Sequence, residues 1–136
     1  MTDQVNDHED RVGTVVLHRR YVPYSHAHYA GNLVDGAYSL AAFGDAATEL
    51  CIRTDGDEGL FASYSDVQFR APVRAGDVVE IEARLVRAGR RSREMEFEVR
   101  VVCRGASGQS GRADSAADVL DPPLLATTAR GTCVVP

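Results

Sequence analysis

Apolar and polar residues alternate most regularly in the second half of the chain. Over residues 77–88, Val79, Ile81, Ala83 and Leu85 share one face while Glu80, Glu82 and Arg84 share the other. Over 93–103, Met95, Phe97, Val99 and Val101 oppose Glu94, Glu96, Glu98 and Arg100 in the same way. A period of two marks strands with one buried and one wet face, and predicts an antiparallel pair joined by a turn at 88–92. Residues 60–70, closed by Ala71-Pro72, and residues 124–135 read as further strands, and the β-branched stretch 13–19 as a first one. Residues 32–53 are different in kind. They are nearly all small or apolar and stop at the turn cluster Asp55-Gly56-Asp57-Glu58-Gly59, which predicts one long helix. Leu33, Ala37, Leu40 and Ala47 on one side, with Val34, Ala41 and Phe43 elsewhere, leave little polar face, so the helix is expected to be buried all round. Residues 104–123, rich in Gly, Ser, Ala and Asp, are expected to form a flexible excursion.

The order strand, helix, four strands excludes a doubly wound parallel sheet. It fits an α+β domain in which a curved antiparallel sheet of about five strands wraps one central helix. A single helix covers only one sheet face, so a homodimer at least is expected. The 136 residues and 14.7 kDa suit one domain over 13–136, preceded by a flexible stretch 1–12. No apolar run is long enough for a membrane span, and the acidic start lacks the pattern of a signal peptide, so a cytoplasmic location is expected. A net charge of −5 argues against a nucleic-acid partner. All 15 basic residues are Arg, which excludes lysine nucleophiles and Schiff bases. Cys51, Cys103 and Cys133 lie in apolar segments without paired spacing, so neither a disulfide framework nor a zinc knuckle is expected.

The predicted helix carries Asp35, Asp45 and Glu49 before its final Arg53. Asp45 and Glu49, four apart, share a face that Tyr38 and Ala42 extend towards Asp35. Such a stripe either faces a subunit interface or pairs with Arg70 or Arg74, or it holds a carboxylate whose raised pKa suits it to acid–base work. Just upstream, Tyr24-Ser25-His26-Ala27-His28-Tyr29-Ala30-Gly31-Asn32 gathers two histidines, two tyrosines and an asparagine. No further donors are spaced to complete a metal site with His26 and His28, and none is expected. The stretch is either a plain structural loop or a site at the helix N-terminus, where backbone N–H groups stabilise a developing oxyanion. In the second case Gly31 and Gly36 allow close backbone approach. Arg87, Arg90, Arg91 and Arg93 flank a hairpin and form either a solvated basic turn or bidentate phosphate donors. The 55–59 cluster lacks the ligand spacing of a Ca²⁺ loop.

The stretches His28 to Ala37, Gly44 to Leu50, Asp55-Gly56-Asp57, Leu60-Phe61, Phe69 to Asp77 and Asp121-Pro122-Pro123-Leu124 together resemble the β-aminoacyl-CoA ammonia-lyases, from about Tyr24 to the C-terminus. Phe69 to Asp77 and Gly89-Arg90-Arg91-Ser92 also look, more distantly, like hotdog-fold acyl-CoA thioesterases. The resemblance implies a hotdog domain that dimerises to form interfacial sites for acyl thioesters. CoA or a carrier protein's phosphopantetheine would enter as part of the substrate, with no separate cofactor. The reaction implied is elimination of ammonia from a 3-aminoacyl thioester, or the reverse addition of an amine to an α,β-unsaturated one. Three roles need groups: Asp45 as base or proton shuttle with Glu49 as second choice, backbone N–H groups near Gly31, Asn32 and Gly36 for the enolate, and His28 with Tyr29 or Asn32 for the amine. Arg90, Arg91 and Arg93 would take the phosphates. Family members carry Asp where this chain has His26, which leaves glycine addition followed by hydrolysis open beside ammonia chemistry. Plain thioester hydrolysis is a further alternative, although Asp45 lies about two residues beyond thioesterase spacing on the helix. A non-catalytic acyl-thioester binding module is the last.

Overall fold

The computed structural model describes residues 9–136, so most of the stretch expected to be flexible, 1–12, falls outside the described residues. Its elements are β1 (Val15–Tyr21), β2 (Ala27–Tyr29), β3 (Leu33–Val34), α1 (Gly36–Asp55), β4 (Leu60–Phe69), β5 (Val78–Ala88), β6 (Ser92–Gly105) and β7 (Ala117–Val134). Five strands form one antiparallel sheet in the order β1-β5-β6-β7-β4, and β2 and β3 form a small separate ribbon.

The alternation in β5 and β6 sets the core. Val79, Ile81, Ala83 and Leu85 of β5, with Met95, Phe97, Val99 and Val101 of β6, are buried under α1. Phe43 of the helix stacks on Phe97 with ring centroids 4.9 Å apart. The opposite sheet face is a lattice of ion pairs, with Arg100 donating to Glu80, Glu82 and Glu98. One helix packed on one sheet face is the α+β layout expected from the sequence.

Three boundaries differ from expectation. The helix begins at Gly36 rather than Asn32, because residues 27–34 fold into the β2–β3 ribbon instead. Gly31 (φ 74°) and Asn32 (φ 61°) turn that ribbon in the left-handed region, which a right-handed helix cannot include. The helix ends as predicted: Gly56 adopts φ 67° and donates its N–H to Ile52 O. Nor is α1 buried all round. Ser39, Phe43, Ala46, Leu50 and Thr54 face the core, whereas Ala37, Ala41, Asp45, Thr48 and Ile52 form an exposed stripe. Small alanines looked core-like in sequence, but one sheet can cover only one side of a helix.

The stretch 104–123 is regular at both ends. Arg104 pairs with Asp118 and Gly105 with Ala117, which shortens the connection between β6 and β7 to residues 106–116. The ladder skips from Val101↔Leu124 to Cys103↔Val119, so Pro122 and Pro123 sit in the irregular stretch, where a missing N–H costs no ladder bond. Among the described residues no helix is long and apolar enough to cross a membrane.

Candidate active site

The N-terminal end of α1 borders an apolar concavity with titratable side chains around it. Asp35 takes the N-cap position with an extended backbone (ψ 161°) and makes no side-chain capping bond, which leaves its carboxylate available to other groups. The first N–H groups of any helix lack intrahelical acceptors and carry the positive end of its dipole. The short ribbon brings His28 beside this end: Nδ1 lies 3.7 Å from Asp35 Oδ2, and the imidazole packs edge-on against Tyr29 with centroids 4.6 Å apart. His26 packs against Tyr38 in the first turns of the helix, centroids 4.8 Å apart.

Beneath Asp35 lies a cavity of about 300 Å³. Leu33, Val34, Phe69, Ala71, Pro72 and Val73 make its apolar walls, and Tyr29, Asp35 and Gly36 frame it. Such a site, apolar with a few convergent polar groups, suits a small acyl group whose reacting end meets the helix terminus. Gly36 earns its place through packing. A Cβ there would lie 2.4 Å from Phe69 Cε1 and Cζ, so only glycine lets the Phe69 ring close over the helix start. The close approach expected at Gly36 is therefore to an aromatic side chain. At Gly31 nothing lies within 4 Å of an added Cβ, and its requirement is the positive φ alone.

The structure does not bring Asp45 and Glu49 to this cavity. Ten residues of helix separate Asp35 from Asp45, a rise of about 15 Å. Asp45 is exposed on the far part of α1, where Arg20 Nη2 donates to its Oδ2 at 2.5 Å. Glu49 accepts from Arg53 Nε at 2.6 Å and pairs with His18 Nε2 at 2.7 Å. The bond from Arg53, followed by that from His18, holds the Glu49 carboxyl below its ordinary range. That is the opposite of the raised pKa that a proton-shuttling carboxyl would need. His18 and Arg20 escaped sequence reasoning. Their alternate spacing on β1 points both at the helix, yet nothing local in the sequence ties residue 18 to residue 49.

The basic hairpin divides. Arg90 and Arg91 are exposed at its tip, with Arg91 Nε donating to Val135 O, and Arg90 lines a cavity of about 220 Å³. Arg93 cannot join them. Its side chain is 1% exposed, and its guanidinium donates to both Asp55 oxygens (2.9 and 2.7 Å) and to the carbonyls of Gly89 and Ser92. Its donors are spent on locking the helix C-terminus to the β5–β6 hairpin, which corrects the expectation of a phosphate ligand. Asn32 stands at the turn of the ribbon, where its carbonyl accepts from Ala75 N–H at 2.9 Å, so it holds the loop that frames the cavity.

Residues 31–104, more than half the chain, match the family model described as thioesterase superfamily. The chain is also 53% identical, over 110 residues, to the 3-aminobutyryl-CoA ammonia lyase of Acetoanaerobium sticklandii, an alignment covering 81% of this chain and 85% of that protein. The chain belongs to the β-aminoacyl-CoA ammonia-lyases of the thioesterase superfamily. Among solved structures it superposes on the β-alanyl-CoA:ammonia lyase from Clostridium propionicum with a TM-score of 0.84 at 36% identity, covering 91% of this chain and 86% of that one. A hexameric hotdog fold thioesterase of Campylobacter jejuni matches with a TM-score of 0.70 at 22% identity, covering 86% and 79% of the two chains, and shares the fold. The helix wrapped by a five-stranded antiparallel sheet is therefore a hotdog domain.

Proposed function

We propose that this protein interconverts a short 3-aminoacyl thioester of CoA with ammonia and the α,β-unsaturated thioester. The observation that carries the proposal is the approach of His28 Nδ1 to within 3.7 Å of Asp35 Oδ2 at a helix N-terminus, above an acyl-sized apolar cavity, in a chain half identical to an ammonia lyase. In the elimination a base removes the C2 proton and the resulting electron pair is held as an enolate on the thioester oxygen. That pair then forms the C2–C3 double bond as the C3–N bond breaks, and the electrons of that bond leave with the nitrogen. The first-turn N–H groups of α1, beginning at Gly36, face the enolate oxygen. His28, oriented by Asp35 and packed on Tyr29, exchanges protons with the amine. Asp45 and Glu49 lie too far along the helix to serve their own cavity. Asp45, exposed and paired with Arg20, would act in the cavity of a second copy, so a homodimer or larger assembly is part of the proposal. Arg90 and Arg91 sit beside the C-terminal end of α1, about 30 Å along the helix from Asp35, and so would meet the CoA phosphates of substrate held in the cavity of a second copy.

The test is incubation with crotonyl-CoA plus ammonium or glycine, following the enoyl absorbance and free thiol together. Loss of the enoyl signal without thiol release, abolished by His28→Ala and Asp35→Asn, is the expected result. Preference for glycine would show that His26 has changed the amine taken. A second reading, thioester hydrolysis, draws on the superfamily match across residues 31–104, and thiol release without an amine adduct would establish it. If no thioester is turned over while acyl-CoA still raises the melting temperature, the protein is a binding module.

A further inference from the structure

The inner end of the cavity carries two hydroxyls that the reaction scheme does not use. Ser39 of α1 and Thr127 of β7 meet there, each 2% exposed, in a pocket whose other inner walls are apolar. Thr127 Oγ1 donates to Ser39 Oγ across 3.3 Å, a long contact, and among the described residues neither hydroxyl makes another hydrogen bond. A hydroxyl has one proton to give and two lone pairs to fill, so this pair is left well short of satisfaction. Burying such groups costs free energy, and alanine with valine would join helix to sheet without that cost. Ser39 follows Asp35 by four residues, so the carboxylate at the mouth and the hydroxyl inside lie on one side of the helix.

Resting on the assignment of this cavity to the acyl group, we propose that Ser39 and Thr127 form a subsite for the polar substituent on the β-carbon, and so select 3-amino over unsubstituted acyl thioesters. An ammonium offers three N–H donors and no acceptor. Asp35 Oδ, with His28 Nδ1 3.7 Å away to exchange the proton, and the lone pairs of Ser39 and Thr127 supply the acceptors. An unsubstituted chain fills the same space but leaves both hydroxyls buried and short of partners. Sites built to hydrogen-bond a substrate group discriminate strongly against analogues that lack it.

The experiment compares KM for 3-aminobutyryl-CoA with the competitive inhibition constant of butyryl-CoA, in the wild-type protein and in Ser39→Ala, Thr127→Val and Thr127→Ser. Valine keeps the volume of threonine, and serine keeps the hydroxyl. The subsite requires Ser39→Ala and Thr127→Val to raise KM by about tenfold to a hundredfold, the scale of one hydrogen bond to a charged group. Butyryl-CoA inhibition should hold or tighten, and Thr127→Ser should behave like wild type. Parallel weakening of both ligands, or equal harm from Thr127→Ser and Thr127→Val, would overturn the subsite and leave the hydroxyls a packing role. Failure of the proposed reaction shows separately, as a wild-type protein that does not turn over 3-aminobutyryl-CoA, and removes the subsite with it.

Discussion

Replacing Arg93 with methionine should cost far more stability than replacing an exposed arginine of this chain such as Arg87. The guanidinium and the Asp55 carboxylate are 1% and 4% exposed, so water cannot take over either role. Four donated hydrogen bonds disappear together, two to Asp55 and one each to the carbonyls of Gly89 and Ser92. Removing one partner of a buried ion pair typically costs about 3–5 kcal/mol, because the remaining charge keeps its desolvation penalty without its counterion. An exposed pair such as Arg87 with Glu94, by contrast, is worth about 1 kcal/mol or less. Urea denaturation at one fixed protein concentration measures the difference and holds assembly effects constant. The double variant Arg93→Met/Asp55→Leu should recover most of the loss, since it removes both buried charges at once. A loss below about 1 kcal/mol in Arg93→Met would refute the argument. So would an intact fold with weakened CoA binding, which would restore the phosphate-binding role that the sequence suggested.

Acid should weaken the fold through ion-paired carboxylates. Glu80 is held below its ordinary value of 4.5 by Arg19 and Arg100, and Glu49 by Arg53 and His18. Their contribution is present above that value and lost as pH falls below it, so Glu80→Gln should give a shallower decline in denaturation midpoint on the acid side than wild type. At the alkaline end, burial pushes the Tyr64 hydroxyl up to about 12, and it donates to Leu40 O at 2.6 Å. Its stabilising contribution is full below about pH 10, where unfolded tyrosine titrates, and is lost as pH rises towards 12. Ultraviolet titration of Tyr64→Phe should therefore lack the last tyrosine step. Gly36→Ala places a Cβ 2.4 Å from the Phe69 ring and should raise KM for the acyl thioester while Phe69→Ala in the same chain relieves it. An unchanged KM in Gly36→Ala would show that the ring does not close the cavity.

Much of the fold was legible in order along the chain because the information is local. The alternation in β5 and β6 fixes which face is buried, and Gly56 fixes where the helix stops. The start of the helix was misplaced because Gly31 and Asn32 satisfy a helix pattern by composition but adopt left-handed backbone in a ribbon that also leans on Val73 and Ala75. The His28 and Gly36 neighbourhood was visible for the same local reason, being contiguous with the helix start. The partners of each charge were not. Asp45 and Glu49 share a helix face in any helix, but only the packing of β1 on α1 decides that they meet Arg20 and His18 rather than the cavity. Arg93 alternates with its neighbours like the residues around it, and only the docking of the hairpin on the end of α1 buries it against Asp55. Periodicity records which side of an element faces the core, whereas the identity of the group waiting there depends on chain segments tens of residues away, and tertiary structure alone decides it.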